Sequence, residues 1–134
     1  MEYNLLIYSS LIFITNAITA CYKKYYIYSL FFVCLIITSF IFHSNNNIYT
    51  NILDKFAILA IVIYASYILY NKIYTDKHIL VILILITFIL SIFLFYYGYC
   101  TNSYCYDPDK CIGDKYHCLL HFISSIGHHF IIFL

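Results

Sequence analysis

The run HILVILILITFILSIFLFYY, residues 78–97, carries no charge beyond its opening histidine, and Thr87 and Ser91 are the polar breaks before its two closing tyrosines. About 20 apolar residues are what a helix needs to cross roughly 30 Å of hydrocarbon. A buried strand or a core helix is the alternative for one such run. Four further runs of similar length, residues 5–21, 25–43, 52–70 and 117–134, leave little room for that alternative. Composition points the same way. Of 134 residues 64% are hydrophobic and 10% charged, with a mean hydropathy of +0.87. A soluble domain carries about 25% charged residues, and fewer than half that number cannot coat a water-facing surface. The expectation is an all-α integral membrane bundle of about five transmembrane helices, forming one domain over residues 1–134. A net charge of +1, with no basic stretch longer than Lys23-Lys24, excludes a nucleic-acid partner.

The first run lacks the basic start of a secretory signal and is read as a retained span. Short polar turns join the first four runs, and the Asn45–Asn47 tract reads as a turn. Residues 98–116 form the long connection. Lys23, Lys24, Lys72 and Lys77 fall on one side of the membrane; Lys55, Lys110 and Lys115 fall on the other. Positive-inside counting puts the first set in the cytoplasm. The density of Cys100, Cys105, Cys111 and Cys118 suits an oxidising side. Both place the N-terminus and the cysteine loop in a lumen or outside the cell, in an endomembrane or a cell or viral membrane. Two disulfides among these four cysteines are expected, in any of three connectivities. The alternative is a structural zinc held by Cys100, Cys105 and Cys111 with a histidine. Tyrosines near span ends, such as Tyr25, Tyr26, Tyr96, Tyr97 and Tyr104, read as an interfacial belt.

Ionisable residues inside such segments are costly, about 2.5–3.5 kcal/mol each on insertion scales, and call for a reason. Ser39 and His43 lie near the end of the second run, Asp54 near the start of the third, and His117 and His121 at the start of the fifth. With alternating spans these three places share one membrane face. Ser39/His43 and His117/His121 are each four residues apart, so each pair lies on one side of its helix. Taken singly, each residue has an ordinary explanation: an interfacial histidine, a serine bonded back to its helix, an aspartate favouring a helix N-terminus. Together they fit a catalytic zinc. His43, His117 and His121 close three corners of a tetrahedron and leave the fourth for water. Asp54 takes that water's proton, and the Ser39 hydroxyl donates to a developing oxyanion. His128, seven residues past His121, reads as a helix-packing or snorkelling histidine, with lining a cavity as the alternative. His129 and His78 carry no assigned role, and Cys21 and Cys34 behave as small apolar residues in spans.

The order S-x-x-x-H, then Asp eleven residues on, then a late H-x-x-x-H resembles the membrane hydrolase superfamily. That superfamily includes alkaline ceramidases, GPI-remodelling proteins and progestin/adiponectin-type receptors. The His43-to-Asp54 spacing looks like the ceramidase and GPI-remodelling branches rather than the receptor branch, the stretch from His117 through Gly127 and His128 looks like the ceramidase pattern, and the likeness covers about half the chain. The resemblance implies zinc on His43, His117 and His121, Asp54 and Ser39 as catalytic groups, and hydrolysis of a lipid amide or ester substrate. Those relatives have seven spans where five are read here, and an acidic N-terminal calcium-binding stretch that this chain lacks. A homo-oligomer in which a second copy stands in for the missing hairpin is one alternative. A non-catalytic protein with a structural zinc, and a membrane-organising protein without metal, are the others.

Overall fold

A computed structural model describes residues 3–45, 47–74 and 76–134, with side chains from Leu5 onward. Its helices are α1 (Tyr3–Ser10), α2 (Phe13–Tyr22), α3 (Tyr26–Ser44), α4 (Ile48–Lys72), α5 (His78–Ile92), α6 (Gly98–Thr101) and α7 (Lys110–Phe133). The described residues contain no strand, as the all-α reading expects.

Each departure from the expected boundaries has a local cause. The first apolar run is two helices because Ser9 and Ser10 donate back to the carbonyls of Leu6 (3.0 Å) and Ile7 (2.7 Å). Such back-bonding competes with the helical ladder. The amides of Leu11 and Ile12 accordingly reach only three residues back, to Tyr8 and Ser9. The turn into α3 closes α2 with paired bonds from Tyr25 N to Ala20 O and from Lys24 N to Cys21 O, with Lys24 at φ 65° where glycine is usual. Helix α4 begins at Ile48, ahead of the apolar run, because Asn47 and Thr50 form a reciprocal capping box. Asp54 thereby sits in the second turn of α4, inside the bundle.

Helix α5 continues through one π turn, Phe93–Tyr97, into α6. Helix α7 starts seven residues before its apolar run, where the Asp109 carboxylate accepts from Cys111 N at 2.9 Å. The expected 98–116 loop therefore shrinks to residues 102–109. Aromatic rings hold it down: Tyr104 packs on Phe93 and Tyr116, and Tyr106 on Phe95 and Tyr99. The expected disulfides are absent, and all six cysteines are free. Cys100 and Cys111 are exposed, whereas Cys118 is buried with its thiol 3.7 Å from the Leu5 carbonyl. Burial pushes the Cys105 thiol up to about 11, which keeps it protonated at neutral pH.

Four helices are long and apolar enough to cross a membrane: Leu5–Tyr22, Tyr26–Ser44, Ile48–Lys72 and His78–Thr101. Large apolar side chains such as Ile18, Leu59, Ile63, Ile79 and Ile89 are more than half exposed. An outer surface of this kind has lipid as its solvent. The fifth, α7, has 24 residues and is long enough but less apolar, so four of the five expected spans meet both criteria. It packs on α1, α2, α4 and α5, so its polar residues are sheltered by the other helices. A core of Phe13, Ala17, Tyr28, Phe32, Ile61, Ile84 and Ile131 fills the bundle.

Three of the four lysines assigned to one side lie away from Lys55. Lys23 lies over the Phe133 ring, Lys77 donates to the Phe133 carbonyl (2.7 Å), and Lys72 to the Tyr25 hydroxyl. Lys55 lies between the Phe42 and Phe95 rings at the opposite end.

Close approach of α5 and α7 depends on Gly127, where a Cβ would lie 2.5 Å from Thr87 Oγ1. Gly127→Val is expected to destabilise the bundle by about 1–3 kcal/mol through overpacking. Thermal unfolding in detergent measures this, and an unchanged midpoint would refute it.

Candidate metal centre and adjoining cavity

Three helices meet at the site. Helix α3 brings Ser39 and His43, α4 brings Asp54, and the third and fourth turns of α7 bring His117 and His121. The nitrogens that the three imidazoles offer all lie within 4.8 Å of one another. Their ring centroids are 4.9 Å (His117–His121), 5.3 Å (His43–His117) and 5.9 Å (His43–His121) apart. Zinc–nitrogen bonds of about 2.0–2.1 Å in a tetrahedron put ligand nitrogens about 3.3 Å apart, which small ring rotations would reach. Among the described residues this is the one cluster of metal-sized spacing, and the loop cysteines form none.

The donor set fits zinc for a further reason. Ser9 lies 2.8 Å from His121 Nδ1 while its own hydroxyl donates to Leu6 O. With that hydroxyl on Leu6 O, the Ser9 oxygen would accept from Nδ1–H of His121 and leave Nε2 as the ligand atom. Metal-bound histidines are commonly fixed in this way through their second nitrogen. The edge of His121 also packs on the Phe13 ring at 5.7 Å. His43 and His117 have no hydrogen-bond partner on their ring nitrogens among the described residues, so both rings are free to ligate. Ser9→Ala is expected to weaken zinc affinity by about 10–100-fold with the fold intact. Competition with a chromophoric chelator reads this out, and unchanged affinity would contradict it.

Asp54 is 3% exposed. Its Oδ1 accepts from Ser39 Oγ at 2.6 Å and, at the long distance of 3.4 Å, from Thr38 Oγ1. Its Oδ2 lies 3.5 Å from Lys55 Nζ. Ser39 is thus spent on Asp54 in this structure, and its hydroxyl orients the carboxylate instead of pointing at an open oxyanion position. Thr38 and Ser9 were not singled out in the sequence. Ser9-Ser10 and Asn16 within an apolar run were the available signal, since polar groups in hydrocarbon seek partners. Asn16 is fully buried and exchanges hydrogen bonds with Ser125 of α7, its Oδ1 accepting from Ser125 Oγ at 2.6 Å. Its Nδ2 lies 2.8 Å from His129 Nδ1, which gives His129 a packing role.

A cavity of about 360 Å³ leads away from this cluster. Ser39, Asp54, Lys55, His117 and His121 line one end, and Leu69 and Ile131 the other. Helices α4 and α5 scarcely touch, and the cavity is the space between them, floored by α7. Leu85, Phe88 and Ile92 on its wall are exposed. From Asp54 to Leu69 it follows α4 for about 22 Å at 1.5 Å per residue. One leaflet of a bilayer is about 15 Å deep. An extended long acyl chain matches this space.

No protein-family model, curated protein or solved structure matches the chain.

Proposed function

We propose that the chain is a zinc-dependent, membrane-embedded hydrolase of a long-chain lipid amide or ester. The observation that carries this reading is the meeting of three imidazoles beside a buried Ser39–Asp54 pair at one end of an acyl-sized cavity. Zinc held by His43, His117 and His121 would polarise the carbonyl and make a water nucleophilic near neutral pH. Asp54 would take the attacking water's proton and return it to the leaving nitrogen or oxygen. Ser39 occupies Oδ1, so that transfer would fall to Oδ2, which also faces Lys55 Nζ at 3.5 Å. The apolar walls would hold the acyl chain and exclude bulk water from the reacting end. Positive-inside counting orients the site towards a lumen or the exterior.

A purely structural zinc, the second reading, would need neither the carboxylate nor the cavity beside it. Acyl release from mixed ceramides and phospholipids by the purified protein, with and without zinc, separates the two. Zinc-dependent release supports the hydrolase; bound zinc with no release on any lipid supports the structural site.

A further inference from the structure

The cavity is not uniformly apolar. His128 lines it, seven residues beyond His121 on α7 and hence about 10 Å deeper at 1.5 Å per residue. The ring is held rather than loose. Its Nδ1 lies 2.5 Å from the hydroxyl of Tyr28, and it meets the Phe32 ring edge-on with centroids 5.2 Å apart. Tyr28 is fully buried, and its hydroxyl has no other hydrogen-bond partner among the described residues. Were that hydroxyl to accept from Nδ1, its own proton would be stranded in a dry core, at a cost of about 1–3 kcal/mol. Tyr28 therefore donates to Nδ1, and the proton of neutral His128 resides on Nε2. Nε2–H is then the one polar group of the ring still uncommitted, in a space walled by Ile61, Ala65, Ile84 and Ile131. A donor in such surroundings calls for an acceptor.

We infer that His128 Nε2–H binds an oxygen on the ligand's chain, so that the cavity selects a long-chain lipid bearing a hydroxyl or carbonyl in mid-chain. An extended chain advances about 1.2 Å per bond, three bonds making about 3.5 Å of extended backbone. The 10 Å offset then places that oxygen about eight bonds from the carbonyl at the histidine cluster, near carbon nine or ten of an acyl chain. Tyr28 is the positioning residue that fixes the tautomer, and His128 is the specificity-determining one. This inference rests on the reading of the cavity as an acyl-chain site, but it requires neither zinc nor turnover.

The test is equilibrium binding of two probes, octadecanoic acid and 10-hydroxyoctadecanoic acid, to the full chain in detergent after zinc removal by chelation. Wild type is expected to bind the hydroxylated acid roughly fivefold to tenfold more tightly, the worth of one hydrogen bond. A 3-hydroxy acid should gain nothing at this depth. His128→Phe, which keeps a ring and removes the donor, should equalise the two affinities. His128→Gln, which restores an N–H, should recover part of the difference and guards against a folding defect in the first variant. Equal binding of both acids by wild type would overturn the inference and leave the acyl cavity standing, with water as the acceptor. No binding of either acid would overturn it together with the acyl-site reading.

Discussion

Asp54→Asn is expected to slow acyl release by about 10²–10⁴-fold, the usual worth of a positioned general acid–base group. The substitution keeps shape and keeps an acceptor for the Ser39 hydroxyl, which lies 2.6 Å from Oδ1. It removes the one function that an amide cannot perform, taking a proton from water and giving it back. Zinc content and unfolding midpoint should stay near those of wild type, since no ligand is touched. The measurement is steady-state acyl release with zinc quantified on the same samples. A variant that hydrolyses at the wild-type rate would show that Asp54 orders the α3–α4 packing and does no chemistry.

Losing a ligand is expected to matter more for the metal than losing any neighbour of a ligand. His117→Ala or His121→Ala should lower zinc affinity well beyond the roughly 10–100-fold that outer partners contribute. The imidazoles belong to α3 and α7, so zinc would cross-link the end of the second apolar helix to the central one. By linkage, added zinc at 100 times its dissociation constant should stabilise the wild type by about 2.7 kcal/mol. Neither alanine variant should respond. Unfolding in detergent across a zinc titration measures this, and an equal response in all three proteins would place the metal elsewhere.

Much of the architecture was legible in the sequence because hydrocarbon imposes so few solutions. Apolar runs of about 20 residues such as 78–97 have to be helices, as every backbone group must be satisfied within the segment. Spacing arithmetic brought Ser39, His43, Asp54, His117 and His121 to one end, because four-residue steps keep a helical face and successive spans reverse direction. What stayed hidden depends on partners distant in sequence. A hydropathy average does not register that Ser9 and Ser10 bond back to their own helix, or that Ser9 meets His121. Hydropathy places the start of α7 at His117 because its first turns lie outside any apolar run, yet the Asp109 cap starts it at Lys110. The cysteine loop drew a disulfide reading from density alone, whereas stacked tyrosines hold it. His128 looked like a packing residue because nothing in the sequence pairs it with Tyr28, a hundred residues away.

Zinc-edge X-ray absorption on the purified protein reads the proposed zinc site on His43, His117 and His121 directly. About one zinc per chain is expected, with three imidazole nitrogens and one oxygen ligand at about 2.0–2.1 Å, and loss of the metal in the His43→Ala, His117→Ala double variant. Sulfur ligands at about 2.3 Å would move the metal to the cysteine loop, and undiminished zinc in the double variant would contradict the site outright.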